Sequence, residues 1–186
     1  VVLVHGFLCN RAFWTPWFAP LRARGHAFVA VTLEPAFGSI DDYAPAIEAA
    51  VRQVTEATGR APLIVGHSMG GLAIRAWLRA TPDADARVHR VVTIGSPHHG
   101  TWPAAYARSI TGQQMRLHGP WLRQLAAQEP PERRARFVCW YTNGDNAVYP
   151  LAAATLAGAD NRLIVGLAHI ELAFDARVLA ECLEGI

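Results

Sequence analysis

The chain has 186 residues, of which 52% are hydrophobic, so it is long and apolar enough for one globular domain with a substantial core. Its net charge is only +2 and its 17 basic residues, all arginine, are scattered, which argues against nucleic acid as a partner. The three cysteines have no metal-ligand spacing, and no stretch approaches the ~20 apolar residues of a membrane span. We therefore expect a single domain over residues 1–186 and identify no metal ligands in it; whether a structural metal is bound is open.

Apolar, β-rich runs alternate with helical patterns along the chain. Six runs are predicted to be strands buried on both faces: Val1–Val4, Ala27–Leu33, Pro62–Val65, Val88–Ile94, Phe137–Tyr141 and Arg162–Val165. The predicted helices are Trp14–Arg24, Asp42–Thr58, Leu72–Ala80 and Ile170–Leu183. Ser39 and Asp42 resemble a capping box before the second helix, and Gly59 ends it. This order predicts an α/β fold: a doubly wound, mainly parallel sheet of about six strands with helices on both faces.

One long interruption separates the fourth and fifth predicted strands. Residues 98–136 contain large apolar side chains, among them Trp102 and Trp121, spaced by polar Gln and Arg. A long excursion between two strands of a compact domain is usually functional. We expect a cap or lid over the site, although the same side chains could instead complete the core.

The most informative segment is residues 63–71, where an apolar run stops at Gly-x-Ser-x-Gly and the helical pattern Leu72–Ala80 begins at once. This is the strand–turn–helix context of a nucleophile elbow. Gly66 and Gly70 remove the Cβ atoms that would collide in so tight a turn, and Ser68 is left in a strained conformation at the sheet edge. Ser68 is therefore the candidate nucleophile.

A serine nucleophile needs an imidazole to accept its proton and a carboxylate to orient that imidazole. In this topology the acid should follow one later strand and the histidine the next. Asp145 follows the strand Phe137–Tyr141, and His169 follows the strand Arg162–Val165. We therefore expect Asp145 and His169 to complete the site.

Three other acids compete with the preferred Asp145. Asp160 precedes its strand and would lie at the opposite edge of the sheet. Asp175 falls inside the predicted final helix, and Glu171 is almost beside His169. Neither position suits an acid that must orient the imidazole from a separate loop.

Acyl transfer also requires backbone N–H donors for the developing oxyanion. Met69, directly after the candidate nucleophile, is expected to supply one. The loop His5-Gly6-Phe7 follows the first strand, and Gly6 allows the backbone to turn inward. We expect the N–H of Phe7 to be the second donor.

Together these motifs resemble those of bacterial lipases and esterases of the α/β-hydrolase family. The stretches that carry the resemblance are Val4–Phe7, Gly66–Gly71, Gly95–Thr101, Gly144–Pro150 and Ala168–His169. The resemblance implies a Ser68–Asp145–His169 triad. It also implies supporting roles for His67 in the elbow and for His98 in the Gly-x-Pro-His-x-Gly loop. No acidic calcium cluster is evident, and the segment after Asp145 carries extra residues compared with the family's Asp-Val-Pro pattern.

The expected function is hydrolysis of lipid-like or other apolar acyl esters, without a cofactor. The alternatives are an acyltransferase that uses the same triad and a non-catalytic binding module of the same fold. The expected partners are a small acyl ester and, transiently, a lipid surface; the oligomeric state is open. The chain begins without Met and within a predicted strand, as a fragment would, so the compartment and any leader or anchor of this bacterial-type sequence are also open.

Overall fold

The computed structural model describes residues 1–184, whose central feature is a six-stranded sheet. The strands are β1 (Val2–Val4), β2 (Val29–Ala30), β3 (Leu63–His67), β4 (Arg90–Ile94), β5 (Phe137–Thr142) and β6 (Asp160–Ile164). Their order is β2-β1-β3-β4-β5-β6, and every neighbouring pair is parallel. The carboxyl ends of β1, β3, β4, β5 and β6 therefore meet at one edge, which is where parallel α/β sheets carry their sites.

Seven α-helices accompany this sheet within the described residues. They are α1 (Thr15–Ala23), α2 (Ala44–Thr58), α3 (Met69–Ala80), α4 (Ile110–Gln114), α5 (Pro120–Ala127), α6 (Pro131–Arg134) and α7 (Ala176–Glu184). Side chains of α2 and α3 pack against one face of the sheet, and those of α1 and α7 pack against the other. The predicted doubly wound α/β fold is confirmed. None of the helices in residues 1–184 combines the length and apolar character needed to cross a membrane.

Helix α2 follows the predicted sequence signals at both ends. A 3₁₀ turn over Ile40–Tyr43 precedes it, and the capping box of Ser39 and Asp42 closes that turn. The Ser39 N–H donates to the Asp42 carboxylate at 3.2 Å. Gly59 ends the helix with a φ of 68°, a left-handed conformation that glycine adopts without steric cost.

Three sequence predictions were wrong in detail. The sixth strand was expected to be buried on both faces, but β6 is an edge strand on which Leu163 is 47% exposed. β2, at the other edge, is only half-buried and much shorter than Ala27–Leu33. The final helix is also interrupted: Glu171–Phe174 form a 3₁₀ turn, and Asp175 separates that turn from α7.

Candidate active site

Ser68 occupies a tight, strained turn between β3 and α3. Its φ of 54° and ψ of −129° lie where non-glycine residues are rarely found, and such a conformation costs about 1–3 kcal/mol. The Ser68 N–H donates to the carbonyl of Ile94 at 2.8 Å, which ties the turn to the end of β4. A Cβ at Gly66 would lie 2.9 Å from the carbonyl carbon of Gly70, so the close approach predicted across the turn is present.

The loop after β1 lies directly against this turn. A Cβ on Gly6 would be 2.8 Å from the Cβ of Ser68, and a Cβ on Gly70 would be 2.4 Å from the carbonyl oxygen of Val4. Both positions therefore require glycine for the two segments to approach. His5 fixes the loop, because its Nδ1 lies 2.8 Å from the carbonyl of Gly6 and its Nε2 accepts the N–H of Leu33 at 2.9 Å.

Phe7 and Met69, the two expected backbone donors, directly follow Gly6 and Ser68, and a Cβ on Gly6 would lie 2.8 Å from that of Ser68. Phe7 lines the same cavity as Ser68. Met69 is the first residue of α3, so its N–H has no acceptor within the helix. In the described part of the chain, the Phe7 N–H likewise donates to no protein acceptor.

Asp145 and His169 are brought together by the loops that follow β5 and β6. His169 Nδ1 lies 2.8 Å from Asp145 Oδ2, and the Asp145 side chain is only 4% exposed. The other carboxylate oxygen accepts the N–H groups of Ala147 and Val148, each at 2.8 Å. Gly95 leaves space for the His169 ring, since a Cβ at position 95 would lie 3.1 Å from His169 Nδ1.

The hydrogen bonds to Asp145 keep it ionised. Burial acts to raise the pKa of this carboxyl, but the hydrogen bond and charge of His169 and the two backbone N–H donors outweigh it. The net effect is a pKa below the usual value. An ionised Asp145 can accept a hydrogen bond from the His169 Nδ1–H and so fix the imidazole tautomer.

The three competing acids lie elsewhere. Asp160 is the first residue of β6 and so lies at the amino ends of the strands, away from the site. It pairs with Arg162 at 2.6 Å. Asp175 pairs with Arg177 at 2.8 Å. Glu171 accepts the N–H of Ala168 at 2.8 Å. Of these acids and Asp145, only Asp145 is paired with His169.

Ser68 and His169 line one cavity of about 340 Å³ at the carboxyl edge of the sheet. The other residues that line it are Phe7, Pro97, Thr101, Pro103, Ala104, Ala107, Ser109, Gly112, Met115, Ala147 and Val148. Among the described residues, no Asp, Glu, Lys or Arg side chain lines this cavity. Within residues 1–184, no group of three His, Cys, Asp or Glu side chains could hold a metal ion.

A sequence model of the alpha/beta hydrolase family matches residues 1–180. The chain belongs to this family. A comparison with curated protein sequences finds no match.

Solved structures share the fold of this alpha/beta hydrolase. The mature Bacillus licheniformis lipase BlEst2 aligns with a TM-score of 0.84 at 18% identity, over 98% of this chain and 90% of that one. Aspergillus fumigatus lipase B aligns with a TM-score of 0.75 at 19% identity, over 87% of this chain and 43% of that one. Bacillus subtilis carboxylesterase CesB aligns with a TM-score of 0.53 at 20% identity, over 100% and 84%.

His67 of this hydrolase contacts His169 directly. Its Nε2 donates to the carbonyl of His169 at 3.2 Å, and the two rings lie 4.7 Å apart. The other face of His67 stacks on Phe13 at 4.5 Å. Burial, reinforced by the neighbouring His169, lowers the pKa of His67 to about 3. His67 is therefore neutral across the ordinary pH range and adds no positive charge beside His169.

His98 is buried and contacts side chains of β4 and β5 rather than the groups above. Its Nε2 is 2.9 Å from Thr93 Oγ1 and 3.6 Å from Cys139 Sγ. Burial and the nearby Arg75 lower the pKa of His98 well below its usual value. His98 makes no hydrogen bond to Ser68, Asp145 or His169, so any support that it gives is indirect.

A buried ion pair behind the site was not anticipated from the sequence. The Arg75 guanidinium binds the Glu129 carboxylate through two hydrogen bonds of 3.0 and 2.9 Å, and it also donates to the carbonyl of His98 at 3.0 Å. The ion pair links α3, which begins directly after Ser68, to Glu129 near the end of the insertion 98–136. The sequence contained one sign of a buried charge, because Arg75 is the only charged residue in the apolar run 69–78.

Proposed function

We propose that this protein is a serine hydrolase that cleaves carboxylic esters with apolar acyl groups. The observation that carries the proposal is the 2.8 Å hydrogen bond between His169 and Asp145, made beside a cavity that His169 shares with the strained Ser68. The lipase and carboxylesterase names of the structurally similar proteins support esters as the substrate class.

In the proposed mechanism, Asp145 holds the Nδ1 proton of His169, so that Nε2 is free to accept the proton of the Ser68 hydroxyl. Ser68 Oγ then bonds to the ester carbonyl carbon, and the N–H groups of Phe7 and Met69 stabilise the oxyanion that forms. The carbon–oxygen bond to the alcohol breaks as His169 returns the proton to the leaving oxygen.

Water completes the cycle on the acyl-enzyme. His169 accepts one proton of the water as its oxygen bonds to the acyl carbon, and the second tetrahedral intermediate uses the same two donors. The bond between Ser68 and the acyl carbon then breaks, and His169 returns the proton to Ser68. The products are a carboxylic acid and an alcohol, and no cofactor takes part.

The cavity wall supports an apolar acyl group. Besides Ser68 and His169, its polar side chains are Thr101 and Ser109, and both already make protein hydrogen bonds. Thr101 Oγ1 donates to the carbonyl of Ala147 at 2.8 Å, and Ser109 Oγ accepts the N–H of Gly112 at 3.2 Å. A polar or charged acyl group would lose its hydration in this cavity without gaining partners.

We also propose that the mouth of the cavity makes transient contact with a lipid surface. Exposed apolar side chains directly follow or precede cavity residues along the chain: Leu8, Trp102, Tyr106, Ile110, Tyr149 and Ile170, which are 67%, 59%, 81%, 57%, 63% and 57% exposed. Soluble proteins rarely concentrate large exposed apolar groups in this way without a binding role.

The insertion 98–136 divides into two parts under this proposal. Residues 101–115 contribute much of the cavity wall and act as the cap. In the second part, Leu122 and Leu125 of α5 are buried, and Leu122 belongs to the core cluster that contains α3. Ala104 and Met115 of the first part belong to the same cluster, so the cap also packs on the core and the two interpretations do not exclude each other.

An alkyl fluorophosphonate tests the proposal, because it reacts covalently with an activated serine. The expected result is one label on Ser68, lost in Ser68→Ala, together with hydrolysis of p-nitrophenyl esters. A folded protein that neither labels nor hydrolyses would contradict the proposal and favour a binding module. A dilute alcohol added to the reaction distinguishes an acyltransferase. If the new ester of that alcohol forms faster than the free acid, the acyl-enzyme prefers the alcohol to water, and the protein is an acyltransferase.

A further inference from the structure

Part of the wall of the cavity that Ser68 and His169 line is built from small side chains on one short segment. Ala104 lies in the 3₁₀ turn Trp102–Tyr106, and Ala107 follows it. Ala107 packs closely on α4, because a Cβ added to Gly112 would lie 2.4 Å from the Cβ of Ala107. Met115 adds the one long, flexible side chain of this segment that reaches the cavity.

This wall is fixed at both ends by hydrogen bonds. The N–H of Thr101 donates to the carbonyl of Met115 at 2.8 Å, and that of Trp102 donates to the carbonyl of Tyr149 at 2.9 Å. At the other end, the amide of Gln114 donates to Ser39 Oγ at 2.8 Å and accepts the N–H of Ile40 at 2.7 Å.

A wall held at both ends gives the cavity a defined size. A dry cavity of roughly 150 Å³ holds benzene, with six carbons. On that scale the cavity of about 340 Å³ holds about fourteen non-hydrogen atoms, and since the ester group takes up part of it, an aliphatic chain of about eight to twelve carbons fits. A longer chain must leave the cavity and cross the exposed rim, where it gains less burial per carbon.

We infer that Ala104, Ala107 and Met115 limit the acyl chain length, and that the substrates are esters of medium-chain acids of about eight to twelve carbons. The inference rests on the proposed ester hydrolysis. The acyl half is assigned to the cavity because it stays bonded to Ser68 until water attacks, whereas the alcohol leaves after taking its proton from His169.

The test compares kcat/KM for p-nitrophenyl esters of two to sixteen carbons in the wild type and three variants. In the wild type, kcat/KM should rise to about ten carbons and fall beyond twelve. Ala104→Leu shortens the cavity and should lower kcat/KM for the ten-carbon ester by roughly tenfold or more, while the four-carbon ester changes less than about twofold. Met115→Ala should move the optimum to longer chains.

Ala105→Leu is the matched control. Ala105 lies in the same turn as Ala104 but is exposed and does not line the cavity, so its replacement should leave the profile unchanged. If Ala104→Leu does not fold, Ala107→Val replaces it as the variant that shortens the cavity, since Ala107 is only half-buried.

Three outcomes are distinguishable. Active variants whose chain-length profile matches that of the wild type would overturn the inference while leaving ester hydrolysis intact.

A second measurement uses a series of alkyl acetates whose alcohols increase in length. If Ala104→Leu alters that series and leaves the acyl series unchanged, the cavity holds the alcohol, and the acyl assignment is wrong. A wild type that hydrolyses no ester would overturn the proposed function and, with it, this inference.

Discussion

The Arg75 guanidinium and the Glu129 carboxylate form a two-hydrogen-bond ion pair whose side chains are only 1% and 2% exposed. Glu129→Ala should therefore leave a buried, unpaired charge and lower the free energy of unfolding by about 3–5 kcal/mol. Urea denaturation measures the loss.

The control for this prediction is the partly exposed pair of Arg133 and Asp85, 2.7 Å apart. Asp85→Ala should cost at most about 1 kcal/mol, because water screens the charges of such a pair. Equal losses in the two variants would show that burial of Arg75 and Glu129 adds nothing to the cost.

Ser68→Ala should abolish ester hydrolysis without unfolding the protein, with a loss in kcat on the order of 10⁴-fold or more. Asp145→Asn should also lower kcat strongly, because an amide favours the wrong tautomer of His169. The matched control is Asp160→Asn, on the opposite edge of the sheet, which should keep nearly full activity. If Asp160→Asn is as impaired as Asp145→Asn, the assignment of the acid is wrong.

Ser68→Gly should be more stable than Ser68→Ala. Alanine keeps the Cβ that makes a φ of 54° unfavourable, whereas glycine tolerates the φ but gains freedom in the unfolded chain. The expected net gain is about 1 kcal/mol in the free energy of unfolding. Equal stabilities of the two variants would show that the strain relieved is no larger than the entropy that glycine gains in the unfolded chain.

His67 makes the stability depend on acid pH. Its pKa is lowered to about 3 in the folded protein, so between pH 6.5 and about 3 the unfolded chain binds a proton that the folded protein does not. Stability should fall with decreasing pH in this window, with a contribution from His67 of about 1.4 kcal/mol per pH unit.

His67→Gln removes this titrating group and keeps an N–H donor for the carbonyl of His169. The variant should show a flatter dependence of the urea midpoint on pH between 6.5 and 4. His5 and His98, whose pKa values are also lowered, retain their share of the slope. A variant with the same slope as the wild type would show that His67 does not titrate as described.

Contact with lipid is tested with the double substitution Tyr106→Ser and Ile110→Ser, at positions 81% and 57% exposed. Hydrolysis of an emulsified ester should fall several-fold, while hydrolysis of a dissolved short-chain ester should not change. The control is Leu163→Ser on β6, which is 47% exposed and does not line the cavity. An equal effect of both variants on the emulsion would contradict a specific lipid-binding rim.

The sheet and the turn at Ser68 could be predicted because each depends on residues that are close together along the chain. The apolar runs fix the inner strands, and glycines at 66 and 70 are required by the turn at Ser68. Burial of the edge strands could not be predicted in this way. An apolar run does not indicate whether another element will cover it, and β6 remains exposed.

The long-range polar contacts were also beyond local patterns. Arg75 and Glu129 are 54 residues apart, and the ring of His67 reaches the carbonyl of His169 across 102 residues. Such pairs depend on how the connections fold over the sheet. The positions of Asp145 and His169 could be predicted only because strand order brings successive strand ends to the same edge.

The ends of β5 and β6 and the loops that follow them are joined by hydrogen bonds between side chains and backbone as well as by the Asp145–His169 hydrogen bond. The N–H of Gly166 donates to Asn143 Oδ1 at 2.8 Å, and Thr142 Oγ1 donates to the carbonyl of Leu167 at 2.9 Å. One of these loops is carried by the exposed edge strand β6, and edges of this kind open before the core does. On warming, activity should therefore be lost reversibly at a temperature below the melting temperature of the sheet. A heat-inactivation curve then measures the local opening of β6 rather than global unfolding.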